Sequence, residues 1–203
     1  MIYMKDKILV PVVGIHSAGK STILSILDKW GYITQGECAE EIRVNKKVKA
    51  GALANSSFEE VVKKAELERD KIRDWKNEKV IFVESWHILT LAYMLTRGKK
   101  LGDISEYLEY VKNKQKELKI LCFYLKSNPY KILERSRKLH TEEDIDKYYT
   151  FYEKLQLNIE YILKLLNTDY YEFNTTKSIE ETKKEIQECL FKLNISKKEL
   201  VKL

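Results

Sequence analysis

Residues Gly14-Ile15-His16-Ser17-Ala18-Gly19-Lys20-Ser21 fit the spacing G-x-x-x-x-G-K-[ST], and no other feature of this chain restricts its fold so tightly. The octet follows the apolar run Ile8 to Ile15. It precedes a stretch in which Ile23, Leu27 and Trp30 fall on one face of a helix, with Gly31 suited to the left-handed turn that ends it. A strand, a glycine-bearing loop and a helix are thus required in that order. Glycines let the backbone curl so that successive N–H groups point inward at an anion, and the helix beginning near Lys20 adds the positive end of its dipole. Gly14 to Thr22, including His16, Ser17, Ala18 and Gly19, are therefore expected to cradle the phosphates of ATP or GTP. Lys20 is expected to reach the β- and γ-phosphates, and Ser21 to offer its hydroxyl to Mg²⁺.

Short apolar runs alternate with longer helical patterns along the rest of the chain, which predicts an α/β protein with a mostly parallel, five-stranded sheet flanked by helices. The strands are read at Ile8 to Ile15, Lys79 to Glu84, Ile120 to Leu125 and Tyr170 to Asn174, with a weaker one at Tyr32 to Gln35. Capping boxes are read at Ser57 with Glu60, Asp103 with Glu106 and Ser178 with Glu181, and Asn128-Pro129 opens a further helix. In the helix from Ser57 to Asn77, Phe58, Val61, Ala65, Ile72 and Trp75 form a core stripe, and Arg69 and Arg73 are read as a solvated face in preference to the lining of an acceptor cleft. The aromatic helix from Ile145 to Leu166 is expected to pack internally.

Composition narrows the function classes. With 203 residues, seven Gly and two Pro, the chain has room for one core and none for a Gly- or Pro-rich linker, so residues 1–203 are read as one domain. The net charge of +6 arises from 37 basic and 31 acidic residues mixed along the chain. Such a surface suits a nucleotide better than a nucleic acid, which usually calls for a denser basic stripe. Cys38, Cys122 and Cys189 have neither disulfide nor zinc spacing, and nothing targets a membrane, so a reducing cytoplasmic setting is expected, as a monomer or homodimer.

Three further stretches accompany the phosphate loop: Gly36-Glu37-Cys38-Ala39-Glu40-Glu41-Ile42-Arg43; Val80-Ile81-Phe82-Val83-Glu84-Ser85-Trp86 leading into Leu91-Ala92-Tyr93; and Phe123-Tyr124-Leu125 through Asn128-Pro129 into Arg135-Ser136-Arg137. In this order they resemble the P-loop small-molecule kinases, most closely the branch that includes ribosylnicotinamide kinase domains and more distantly the thymidylate kinases. The resemblance implies a P-loop NTPase fold with a helical lid at about 135–147, and ATP- and Mg²⁺-dependent phosphoryl transfer to a small nucleoside, nucleotide or related metabolite. It places Glu37 and Arg43 at the acceptor. Glu84 stands next to the metal, either orienting its water shell or accepting the acceptor's hydroxyl proton. Arg135 and Arg137 fall on the lid, and Thr175, in Asn174-Thr175-Thr176, lies near the nucleotide base. An acid at Glu37 or Glu84 also favours the first turn of a helix, and Ser85 stands where the family carries Arg. The lack of an NKxD-type segment after a strand favours ATP over GTP. Two other classes share the loop: a regulatory ATPase hydrolysing ATP to change partners, and a kinase acting on polynucleotide ends.

Overall fold

The computed structural model describes residues 7–46, 56–75, 78–136 and 145–195. In chain order these form β1 (Ile8–Val13), α1 (Lys20–Lys29), β2 (Ile33–Gln35), α2 (Cys38–Lys46), α3 (Ser56–Lys71), β3 (Val80–Glu84) and α4 (Trp86–Thr96). After a 3-10 turn at Leu101–Ile104 come α5 (Ser105–Glu117), β4 (Lys119–Lys126), α6 (Pro129–Ser136), α7 (Ile145–Leu165), β5 (Asp169–Asn174) and α8 (Ile179–Lys192). All five expected strands are present. The sheet order is β2-β3-β1-β4-β5, and every pairing is parallel.

The burial of each strand follows its rank in the sheet. β1 is central and covered on both faces, so it reads as an unbroken apolar run, with Leu9, Val10, Val12 and Val13 fully buried. β5 lies at an edge, and among its residues only Phe173 is buried; Asp169 and Glu172 keep the rim polar. Register aligns Val12 with Glu84 and Val13 with Tyr124, so β1 and β3 finish within one residue of each other while β4 runs on to Lys126. The chain reverses direction across the sheet at β1, and open α/β sheets bind ligands at the carboxyl ends of strands flanking such a reversal.

The helices end as local chemistry dictates. At the end of α1, Gly31 has φ 80, and the amides of Gly31 and Tyr32 bond back to the carbonyls of Asp28 and Leu27 at 2.8 and 3.1 Å, a Schellman closure. Ser178 and Glu181 cap α8 reciprocally, and Asn128 accepts from the Tyr130 amide at 2.9 Å as α6 begins at Pro129. Two expected boxes differ. α3 begins at Ser56, so Ser57 lies within its first turn. Asp103 turns back to accept from the Lys100 amide at 2.8 Å, serving the 3-10 turn ahead of α5.

α4 is buried almost all round, against β1, α3 and α7. On α7, Tyr148 and Tyr152 point inward as expected, and Asn158 donates to Thr96 at 2.9 Å across the α4–α7 contact, while Tyr161 is exposed. The largest departure from the sequence reading concerns α3, which ends at Lys71. Ile72 is 79% exposed, whereas the side chains of Asp70 and Arg73 are only 5% and 3% exposed. The inward face of α3 carries Glu59, Val62 and Glu66. Charge overrides the apolar stripe because partners for those charges wait on α4 and β2.

Candidate active site

Backbone geometry makes the phosphate loop. A Cβ on Gly14 would stand 2.6 Å from the carbonyl oxygen of Leu125 and 3.1 Å from the Cβ of Ala18, so only glycine lets β1 leave the sheet beside β4. Ser17 and Gly19 take left-handed conformations, φ 58 and 95, and close the curve. Gly19 occupies the N-cap of α1 without a side chain to cap it, which leaves the helix's first amides facing the loop's concavity. Lys20, 7% exposed, folds back so that Nζ lies 3.3 Å from the Ile15 carbonyl. Thr22 is exposed on the first turn of α1.

Ser21 donates its hydroxyl to Glu84 at 2.9 Å, joining the loop to the end of β3. Glu84 is buried. Burial raises its carboxyl above the ordinary glutamate range; the Lys20 charge opposes the rise and Glu37 adds to it. Two hard oxygens, one hydroxyl and one carboxylate, thus stand together at the mouth of the phosphate cradle. That donor pair fits an Mg²⁺ held chiefly by water and phosphate oxygens; no cluster of three or more His, Cys, Asp or Glu able to hold a metal occurs among the described residues.

Immediately after Glu84 the chain makes a strained corner. Ser85 has φ 71 and ψ −65, and Trp86 has φ 50, values that cost non-glycine residues roughly 1–3 kcal/mol each. Three contacts hold it. The Ser85 amide donates to Val12 at 3.0 Å, the Ser85 hydroxyl to Glu37 at 2.8 Å, and the Trp86 indole to Asp70 at 3.1 Å. Ser85 therefore uses the position at which the resembled kinases carry Arg to hold Glu37.

Asp70 is the residue that sequence reading missed. Its carboxylate accepts from Arg73 at 2.7 Å, Trp86 at 3.1 Å, His87 at 2.8 Å and Tyr110 at 3.1 Å, and His87 meets Tyr107 at 2.5 Å through its other ring nitrogen. Burial alone would raise the Asp70 carboxyl, but the hydrogen bond and charge of His87, with those of Arg73, hold it well below the usual range. Arg73 also donates to Gln35 at the end of β2. The only signal in the sequence was an Asp–Arg pair at i,i+3, a spacing common on solvated helix faces.

Beside the loop opens a cleft of about 660 Å³, its mouth included, lined by His16, Lys20, Glu37 and Ser85 at the loop and by residues of α2, α3 and α4 beyond. α3 and α4 run antiparallel along it, since Asp70 near the end of α3 meets Trp86 at the start of α4, while Glu59 in the first turn of α3 pairs with Arg97 just past α4. Arg43 lines the same cleft and is paired with Glu40. Glu37 and Arg43, the expected acceptor residues, are thus brought together. His16 lines the cleft and stacks near Tyr152, with ring centroids 6.4 Å apart.

On the other flank, Arg135 donates to the Thr175 carbonyl at 2.7 Å, joining α6 to the loop after β5; Thr175 in turn bonds through its amide to Lys126 at 2.9 Å. Arg137, His140 and most of the expected lid at 135–147 lie outside the described residues.

Comparison with known proteins agrees with this architecture. The AAA domain family matches residues 9–172. No curated protein matches the chain. A structure of deoxyadenosine kinase from M. mycoides, with products dCMP and a flexible dCDP bound, is 20% identical with a TM-score of 0.63, covering 92% of this chain and 98% of that one. A second structure of deoxyadenosine kinase from M. mycoides, with bound dCTP, is 18% identical with a TM-score of 0.55, covering 91% and 99%. At such identity the likeness is one of fold. The family match runs from β1 into β5 and takes in the phosphate loop, Glu84 and the cleft between α3 and α4, so the chain belongs to the AAA domain family and has a P-loop NTPase fold.

Proposed function

We propose that this protein is an ATP- and Mg²⁺-dependent kinase that transfers the γ-phosphoryl group to a hydroxyl of a small nucleoside-like acceptor. The observation that carries the reading is a division of labour between two acids: Glu84 is tied to Ser21 at the phosphate loop, and Glu37 is tied to Ser85 inside the adjoining cleft. Gly14 to Thr22 cradle the phosphates through backbone amides, and Lys20 balances the charge that develops on the transferring group. Ser21 and Glu84 hold the metal's side of the site; when bound, Mg²⁺ neutralises phosphate charge. Glu37 accepts the acceptor's hydroxyl proton as its oxygen bonds to phosphorus. The bond from phosphorus to the β,γ-bridging oxygen breaks, and its electron pair leaves with ADP. Arg135 and Thr175 support the nucleotide from the other flank, and Arg43 borders the acceptor. The three described cysteines are free and buried, which supports assignment to a reducing, cytoplasmic compartment.

An ATP-consumption assay with Mg²⁺ across nucleosides, nucleoside monophosphates and short oligonucleotides tests this reading, with Lys20→Ala as control. Acceptor-dependent consumption, lost in the variant, is expected. Consumption that needs Lys20 but no acceptor would make the protein an ATPase instead. Turnover confined to oligonucleotides, falling steeply with salt, would make it a polynucleotide kinase.

A further inference from the structure

A phosphate loop grips its ligand with backbone amides, but the side chain of His16 is half-buried and lines the neighbouring cleft together with Lys20, Glu37 and Ser85. The loop fixes where that ring starts. Gly14 is pressed against β4, Ile15 is fully buried, and the Ala18 amide returns to the Ile15 carbonyl at 3.2 Å, so the peptide leading into His16 is pinned on both sides. The same carbonyl lies 3.3 Å from Nζ of Lys20, the cation that reaches the β- and γ-phosphates. His16 therefore leaves the backbone beside the place a γ-phosphate takes.

The ring is also backed by a wall. The imidazole lies nearly parallel to the ring of Tyr152 on α7, 15° between planes and 6.4 Å between centroids, and Tyr152 is itself fully buried, with Tyr148 and Phe151 each 6.1 Å away. The Tyr152 hydroxyl has no hydrogen-bond partner, so what this residue offers His16 is the face of its ring. An imidazole held by one face keeps its nitrogens at the rim, beside the cleft.

Charge at this end of the cleft calls for a donor. Among the basic residues of the lining, Arg43 is paired with Glu40, and Arg97 with Glu59 beyond the far end of α4. Lys20 and His16 are the two that belong to the loop. During transfer, negative charge is spread over the equatorial oxygens of the phosphoryl group. Lys20 meets them from the donor nucleotide's side, whereas the acceptor's side holds the Glu37 carboxylate, which repels them.

We propose that His16 is a further catalytic residue of the kinase reading, on which this inference rests: an imidazole N–H donates to an equatorial oxygen of the γ-phosphoryl group as it passes to the acceptor. No proton changes hands at His16; the acceptor's proton still goes to Glu37, and the electron pair of the broken bond still leaves with ADP. Tyr152 is a positioning residue that acts through the imidazole.

The test is steady-state kinetics of the full-length protein, with Mg²⁺-ATP as donor and adenosine, cytidine, guanosine, uridine and their monophosphates as acceptors. His16→Phe keeps a flat ring against Tyr152 and removes the donor. Its kcat should fall roughly 100-fold, the scale of losing one preorganised donor, with both KM values within about threefold of wild type. His16→Asn restores an N–H and should recover part of the loss. Imidazole added to His16→Ala should raise kcat and leave wild type unchanged. Tyr152→Leu should lower kcat by roughly 10- to 100-fold through misplacement of the imidazole, while Tyr152→Phe, which retains the ring, should hold it near wild type. A wild-type kcat in His16→Phe, or a rise confined to KM for ATP, overturns the inference and leaves the kinase reading intact. So does a loss of kcat that neither His16→Asn nor imidazole relieves, because the side chain would then be structural only. ATP consumption indifferent to every acceptor removes both readings. If His16→Phe fails to fold, the imidazole response of His16→Ala decides the matter.

Discussion

Glu84 ends an apolar strand where a carboxylate has little solvent, and it stays there because Ser21 donates to it and Lys20 lies near. Glu84→Gln keeps the shape and removes the charge. In the proposed reaction this should lower kcat by roughly 100-fold, the scale of losing one preorganised electrostatic group, with a weaker dependence on Mg²⁺ in metal titrations. Glu66 allows a prediction about stability. Burial raises its carboxyl above the ordinary 4.5, with His87 and Arg69 opposing. The folded chain therefore binds this proton at pH values where the unfolded chain has released it, and the stability so gained is lost as pH rises from about 4.5 through the folded value. Glu66→Gln cannot ionise. Its melting temperature relative to wild type should rise as pH is raised above about 4.5 in calorimetry; a difference that stays flat would mean the carboxyl titrates normally.

At the scale of elements, the decisive contact joins the end of α3 to the start of α4. Asp70→Ala would leave Arg73, His87, Trp86 and Tyr110 without their shared acceptor. Removing one partner of such a buried charged group costs about 3–5 kcal/mol, which urea denaturation would read directly, and Asp70→Asn should cost less because it retains one acceptor oxygen. Catalytic turnover should fall with Asp70→Ala as well, since Trp86 would no longer brace the strained Ser85 corner that holds Glu37. This device was not legible in the sequence. Periodicity counts apolar residues, and it assigned Ile72 to the core and Arg73 to solvent; the packing reverses both because Asp70, His87 and Gln35 offer Arg73's neighbourhood a closed set of polar partners. The strands, by contrast, were legible because β1, β3 and β4 are covered on both faces and cannot carry polar residues in their middles.

For the whole molecule, the phosphate loop joins β1, α1, β3 and β4 at one point, so occupancy there should stabilise the entire fold. Mg²⁺-ATP at about 100 times its Kd would add about 2.7 kcal/mol by mass action. For a chain of this size that corresponds to a rise in melting temperature of roughly 5–10 °C. Differential scanning fluorimetry with ATP, GTP and no nucleotide measures it, and Lys20→Ala should abolish the shift. Among the described residues no helix is long and apolar enough to cross a membrane.

The sequence by itself determined the architecture and the phosphate cradle, because both rest on local rules: apolar runs that only a doubly covered strand tolerates, and glycines at Gly14 and Gly19 where a side chain would clash or strain. It also singled out Glu37 and Glu84, which the fold brings to the cleft and to the phosphate loop. Only the tertiary structure separated their surroundings, since which acid faces Ser21 and which faces Ser85 depends on strands far apart in the chain meeting at one edge of the sheet. The same holds for the carboxylates of the cleft. Glu59 and Glu66 are ordinary helix residues in sequence, and only the antiparallel seating of α3 on α4 turns them inward, where water cannot satisfy them.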